Sequence, residues 1–185
     1  MTQNEQLTAL RLARNAIESE LLRSPLGRLE QLPSVFKEEA AVFVTIRTKE
    51  GNLRGCIGSL IAHRSLYEDI VENAIASAFK DPRFPPLNII ELPFIKIEIS
   101  LLHAPTEVVY SGAADLLAKI EKGRDGLIIK HGGSQATFLP SVWDEISQKE
   151  EFLSRLCEKA GLEASFWQSG ELEVFAYKAD KLNEK

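Results

Sequence analysis

Arg54, Cys56 and Gly58 fall at every second position of the run LRGCIG (53–58), inside a stretch whose composition is otherwise that of a β-strand. Residues two apart in a strand share a face, so these three line one side and Leu53, Gly55, Ile57 and Ser59 line the other. Arg54 and Cys56 would then have Cα atoms roughly 6.5–7 Å apart, within reach of a flexible guanidinium. A cation that close favours thiolate over thiol and would make Cys56 more nucleophilic. Gly58, with no side chain, leaves room beside the sulfur for a ligand or a neighbouring backbone. Packing is the competing explanation. Cysteine is among the most buried residue types, and glycines in a strand also let a helix sit close to the sheet.

Asp81 and Arg83 lie in the proline-rich run KDPRFPP (80–86) and admit two roles. Asp81 can cap the turn and pair with Arg83, a surface contact worth roughly 0–1 kcal/mol. Alternatively, Arg83 faces the Cys56 strand and offers its fork to an anionic group. Cys157 follows Leu153 and Leu156 on a helical apolar stripe and reads as core. His63, His103 and His131 have neither HxxH nor HExxH spacing and no CxxC beside them, so a sequence-local zinc site is not supported. A Cys–His pair could still assemble in space. His63 is the nearest candidate, although a histidine just before a helix cap reads as solvated. The run HGGS lacks the spacing of a phosphate-binding loop and reads as a hairpin turn around Gly132 and Gly133. Phe138 and Trp143 could be core anchors or an exposed aromatic platform, and core is the commoner case.

The elements that must position these residues are marked by caps and periodicity. Thr2 with Glu5 has capping-box spacing, and Leu7, Leu10, Ala13, Ile17 and Leu21 recur at helical intervals, predicting a long first helix that ends before Pro25 and Gly27. Residues 28–39 read as a loop around Pro33. Residues 40–60 read as a β-hairpin turning at KEGN. Ser65 with Glu68 opens a second helix, whose buried stripe is Leu66, Ile70, Ala74, Ile75, Ala78 and Phe79. Residues 94–102 alternate Ile95, Ile97, Ile99 and Leu101 against Lys96, Glu98 and Ser100, a strand with one buried and one wet face. A short helix is expected over 113–121 and a second hairpin over 126–139. Ser141 with Asp144 and Ser147 with Glu150 have helix-start spacing. The helix carrying Phe152, Leu153, Leu156, Cys157 and Ala160 should stop at Gly161. Residues 171–179 read as the last strand. Hairpins with interspersed helices argue for α+β with a mainly antiparallel sheet.

Composition limits what such a fold can do. Twenty-two Lys and Arg against twenty-seven Asp and Glu leave a formal charge of −5, which provides no electrostatic footprint for nucleic acid. The first residues mix acids and arginines, unlike a signal peptide. No apolar run approaches the roughly 20 residues that span a bilayer. Two cysteines far apart give no disulfide framework, so the cytoplasm is the expected compartment. With no linker or repeat, residues 1–185 are expected to form a single domain.

With LRGCIG (53–58), DPRFPP (81–86), ISLL (99–102) and TFLPSVW (137–143) in that order, the chain resembles the AMMECR1-domain proteins. More narrowly, it resembles the prokaryotic AmmeMemoRadiSam system protein A group, from about residue 7 to about residue 177. The resemblance implies an α+β fold of two unequal lobes, with mainly antiparallel β-sheets flanked by helices and a cleft between them near the LRGCIG segment. It also implies companion proteins, one Memo-like and one of the radical-SAM type. It carries no established reaction. Two functions are then to be weighed. One is a binding or accessory module that holds a small anionic ligand, a peptide or a companion protein, using Arg54, Gly55, Gly58, Asp81 and Arg83. The other is an enzyme with Cys56 as nucleophile or redox thiol, activated by Arg54 and assisted by a histidine or Asp81. No motif calls for a metal or cofactor, and apolar edge strands could support a homodimer.

Overall fold

A computed structural model describes residues 1–27 and 32–184. The first part of the loop expected around Pro33, residues 28–31, lies outside the described residues. The helices are α1 (Gln3–Leu22), α2 (Leu66–Phe79), α3 (Ala113–Lys119) and α4 (Lys149–Lys159). The strands are β1 (Ala41–Thr48), β2 (Leu53–Gly58), β3 (Ile95–Leu102), β4 (Thr106–Glu107), β5 (Gly126–His131), β6 (Ser134–Phe138), β7 (Glu173–Tyr177) and β8 (Ala179–Asn183). They divide into two compact units, Met1–Leu102 with Asp180–Lys185, and His103–Ala179. The first unit carries a sheet of order β2-β1-β3-β8 and the second a sheet of order β4-β7-β5-β6. β1 pairs antiparallel with β2 and β3, as does β5 with β6 and β7. The fold is α+β, as the alternation of hairpins and helices predicts. Among the described residues no helix is long and apolar enough to cross a membrane.

Both expected capping boxes form. The Thr2 hydroxyl accepts from the Glu5 amide and the Glu5 carboxylate accepts from the Thr2 amide, and Ser65 and Glu68 repeat the exchange at the start of α2. The core of the first unit takes Leu10, Ala13 and Ile17 from α1, Leu66, Ile70 and Ala74 from α2, and the inward residues of β1 and β3.

α2 also buries three polar residues spaced four apart: Asp69, Asn73 and Ser77. Residues at that spacing stack along one side of a helix, and here that side meets the backbone of the first hairpin. The Val42 amide donates to Asp69 at 2.7 Å, and the Asn73 side chain donates to the Val42 carbonyl at 3.2 Å. The Ser77 hydroxyl donates to the Val44 carbonyl at 2.7 Å and accepts from the Ile57 amide at 2.8 Å. Val44 and Ile57 are opposite partners, so the hydroxyl links the two strands at that rung. This close approach needs Gly55, where a Cβ would run into the Ser77 carbonyl.

In the second unit Trp143 stacks on Phe152 at 3.8 Å, and Phe138 meets the same ring edge-on at 5.2 Å. Trp143 donates to the Asp125 carbonyl, and Cys157 is fully buried. Trp143, Phe152 and Cys157 are core residues, and Phe138 packs against them partly buried. Gly132 and Gly133 make the tight turn between β5 and β6, both at positive φ.

The structure departs from the sequence reading in several places. Ser100, on the face expected to be wet, is 8% exposed and lies opposite Phe43 of β1. Neither Ser141 nor Ser147 caps a helix. Pro140 opens a 3-10 turn over Pro140–Asp144, and Gln148 occupies the cap position of α4 without a side-chain bond. β7 ends at Tyr177, and the chain then forms a further strand, β8, beside β3. Its Asp, Lys and Asn are poor strand formers, and Leu182 is its one buried residue. The two-residue β4 is too short to leave a sequence signal.

Gly55→Ala should lower the unfolding free energy by about 3 kcal/mol, measured by urea denaturation. Gly27→Ala, where an added Cβ meets nothing within 4 Å, should change it by less than about 0.5 kcal/mol.

Candidate functional site around Cys56

β2 is an edge strand. Its rung to β1 at Ile57 turns inward, so the amide and carbonyl of the neighbouring Cys56 point off the edge of the sheet. Both groups are met by the segment that follows α2. The Cys56 amide donates to Asp81 Oδ2 at 2.8 Å, and Arg83 Nη2 donates to the Cys56 carbonyl at 3.4 Å. Arg83 also grips Asp81 with both prongs, Nε to Oδ1 at 2.9 Å and Nη2 to Oδ2 at 2.7 Å, and its own amide donates to Oδ1. The result is a closed ring of charge-assisted bonds. Within it the Asp81 side chain is 2% exposed and that of Arg83 is 54% exposed. Hydrogen bonds from the Arg83 side chain hold the Asp81 carboxyl down at about 2, against the opposing effect of burial. The same pairing raises Arg83 above its ordinary value. The two roles weighed for Arg83 therefore coexist: it pairs with Asp81 and it faces the Cys56 strand.

Cys56 is half-buried, and the Thr45 hydroxyl donates to its sulfur at 3.3 Å. Thr45 and Cys56 are opposite partners on β1 and β2, in the type of antiparallel pair that brings side chains closest.

Arg54 sits differently from the expected thiolate-stabilising cation. Its fork is taken by Glu91, Nε to Oε1 at 2.6 Å and Nη2 to Oε2 at 3.1 Å, and its side chain is 10% exposed. That pairing lowers the Glu91 carboxyl below its usual range. Glu91 in turn accepts from the amide and side chain of Asn88, so Arg54 clamps the 88–91 turn to β2. Phe84 lies between the two arginines, its ring centre 5.9 Å from the Arg54 guanidinium carbon and 5.6 Å from that of Arg83. The space expected to be open beside Gly58 holds the Phe43 ring, and Gly55 faces Ser77 of α2. His63 lies on an exposed loop, its Nδ1 3.0 Å from the Ile61 carbonyl. No cluster among the described residues could hold a metal ion.

The structure thus brings Cys56, Asp81 and Arg83 together and adds Thr45, Ser77 and Glu91, which sequence reasoning missed. One signal was available. Asp69, Asn73, Ser77 and Asp81 continue a single four-residue spacing from α2 into the site. Chemically, the ring leaves Arg83 Nη1 without a hydrogen bond among the described residues, an N–H edge suited to an anion. Asp81, ionised down to about pH 2, is a weak base.

The AMMECR1 family profile matches residues 10–182 of this chain. A protein of Methanothermobacter thermautotrophicus is 38% identical over all of this chain and 96% of its own length. One from Methanocaldococcus jannaschii is 37% identical over all of this chain and 92% of its own length. Among solved structures, that of an uncharacterised protein from Pyrococcus horikoshii superposes with a TM-score of 0.92 at 33% identity, covering 100% of this chain and 94% of the other.

The depressed Asp81 carboxyl makes its stabilisation a function of pH. Its folded value, about 2, lies below the ordinary aspartate value near 3.9. Its contribution is therefore complete above about pH 4 and is lost as pH falls towards 2. Urea titrations between pH 2 and 5 should show wild type losing more stability than Asp81→Asn over that window. At pH 7 the variant should be about 2 kcal/mol less stable. Parallel curves for the two proteins would contradict this role.

Proposed function

The chain belongs to the AMMECR1 family, and from that premise we propose that it is a cytosolic binding or accessory module. Its recognition surface is the β2 edge around Cys56, which holds an anionic group of a peptide or companion protein. The observation that carries this reading is the Arg83 guanidinium, fixed on one side by Asp81 and the Cys56 carbonyl and exposed on the other. An arginine already held in one conformation loses little entropy on binding, and its planar fork suits carboxylate or phosphate. Apolar surface is available in a second segment tied to β2. The 88–91 turn, clamped through Arg54 and Glu91, exposes Ile89 at 51% and Ile90 at 77%. A cation and exposed isoleucines tied to the same strand suit a protein surface or peptide better than a free small anion. The Memo-like and radical-SAM companions implied by the family resemblance are the partners to test first. Cys56 belongs to this surface through its backbone. Use of its sulfur as a nucleophile would require a base, and a carboxyl with a value near 2 is a poor one.

Titration calorimetry against the Memo-like and radical-SAM companions tests the proposal. Arg83→Gln should weaken association about tenfold, or about 1.4 kcal/mol, with Arg83→Lys in between and the melting temperature checked for each. Ile90→Asp should weaken it similarly. Full affinity in Arg83→Gln and Ile90→Asp, both folded, would remove this surface from consideration.

A further inference from the structure

The first sheet has two edges, and the protein treats them differently. At β2 the outward amide and carbonyl of Cys56 are covered by Asp81 and Arg83. At the other edge, the Glu184 amide donates to the Ile97 carbonyl of β3. By strand alternation, the backbone groups of Lys181 and Asn183 therefore point outward. Both residues are exposed, and among the described residues β8 has no strand beyond it.

Beside this open edge runs a groove of about 340 Å³ between α1 and β8. Leu7, Leu10 and Leu182 supply its apolar part, and Leu7 is 45% exposed although it belongs to the apolar stripe of α1. The charges in its described lining are Arg11, Arg14, Lys181 and Glu184, a positive balance on a chain whose formal charge is −5. Glu184 is bound by Arg14, and Glu98 contacts Lys181 from β3 at 3.4 Å. Arg11 has no ion pair among the described residues and is exposed.

We infer that β8 is a docking strand for an extended, acidic segment of a partner protein, which would add to the sheet through the outward backbone groups of Lys181 and Asn183. Main-chain bonds give such strand addition its affinity, and alternate side chains give it specificity. Here the apolar face of the incoming strand would meet the exposed Leu7 of α1, and its acidic face would meet Lys181, with Arg11 adding positive field at the rim of the groove. A segment alternating apolar and acidic residues fits both demands. A second copy of this chain fits poorly. Antiparallel pairing of β8 with itself about its centre would set Lys181 against Lys181, and like charges directly opposite are destabilising. This surface is separate from the Cys56 edge and does not depend on the function proposed for it.

The probe is a capped peptide of about nine residues, the length of a long strand, alternating glutamate and valine. Its controls are the lysine–valine counterpart and the glutamate peptide N-methylated at alternate positions. Fluorescence anisotropy should show the acidic peptide binding at least tenfold more tightly than either control, with affinity falling as salt rises. Hydrogen exchange should slow at the Lys181 and Asn183 amides when it binds. Arg11→Glu, an exposed change that should leave the melting temperature unaltered, should weaken binding at least fivefold. Absence of binding, equal binding of the lysine peptide, or binding without protection of those two amides would overturn the proposal. So would protection that appears without peptide and tracks a dimer in sedimentation.

Discussion

The Ser77 hydroxyl, lodged between the Val44 carbonyl and the Ile57 amide, sets how closely α2 lies on the first hairpin. A buried hydroxyl without partners would cost roughly 1–3 kcal/mol, and so would each backbone group it satisfies if left alone. Helix and hairpin can meet this demand only at one separation, and that separation forbids a side chain at position 55. Asn73 and Asp69 repeat the constraint one and two turns earlier. Asp81, beyond the end of the helix, repeats it once more at Cys56. The position of Cys56 on the sheet edge thus follows from the same polar column that seats the helix.

A second regularity concerns how this sheet uses its charges. Three of its strands each donate a backbone amide to a carboxylate that is itself held by an arginine. Val42 of β1 donates to Asp69, held by Arg64; Cys56 of β2 to Asp81, held by Arg83; and Ile97 of β3 to Glu184, held by Arg14. Each pair orders a segment far away in sequence by fixing one strand amide. The arginine most exposed of the three is Arg83, and it lies beside the half-buried Cys56. That combination of rigidity and exposure is why we propose recognition at this edge.

Much of this architecture was legible in the sequence, because caps and periodicity are local. Thr2, Ser65 and Gly161 mark helix ends where the structure has them, and Ile95, Ile97 and Ile99 mark a buried face. Long-range pairing was not legible. Arg54 and Cys56 share a face by alternation, but the partner of Arg54 is Glu91, 37 residues on, and no local pattern announces it. β8 escaped notice because its residues are polar and its place depends on Glu184 and β3. The column from Asp69 to Asp81 was visible as spacing, yet a polar residue every four positions usually marks the wet face of a helix. Only the hairpin packed against it shows that this face is dry.

Residue-resolved hydrogen exchange at the Cys56 and Ile57 amides tests this account most directly. Amides on an edge strand commonly open by local fluctuation. If α2 and Asp81 hold the β2 edge as described, both should exchange only through global unfolding, as slowly as amides in the centre of β1. Exchange at either position through local fraying, orders of magnitude faster than that, would contradict it.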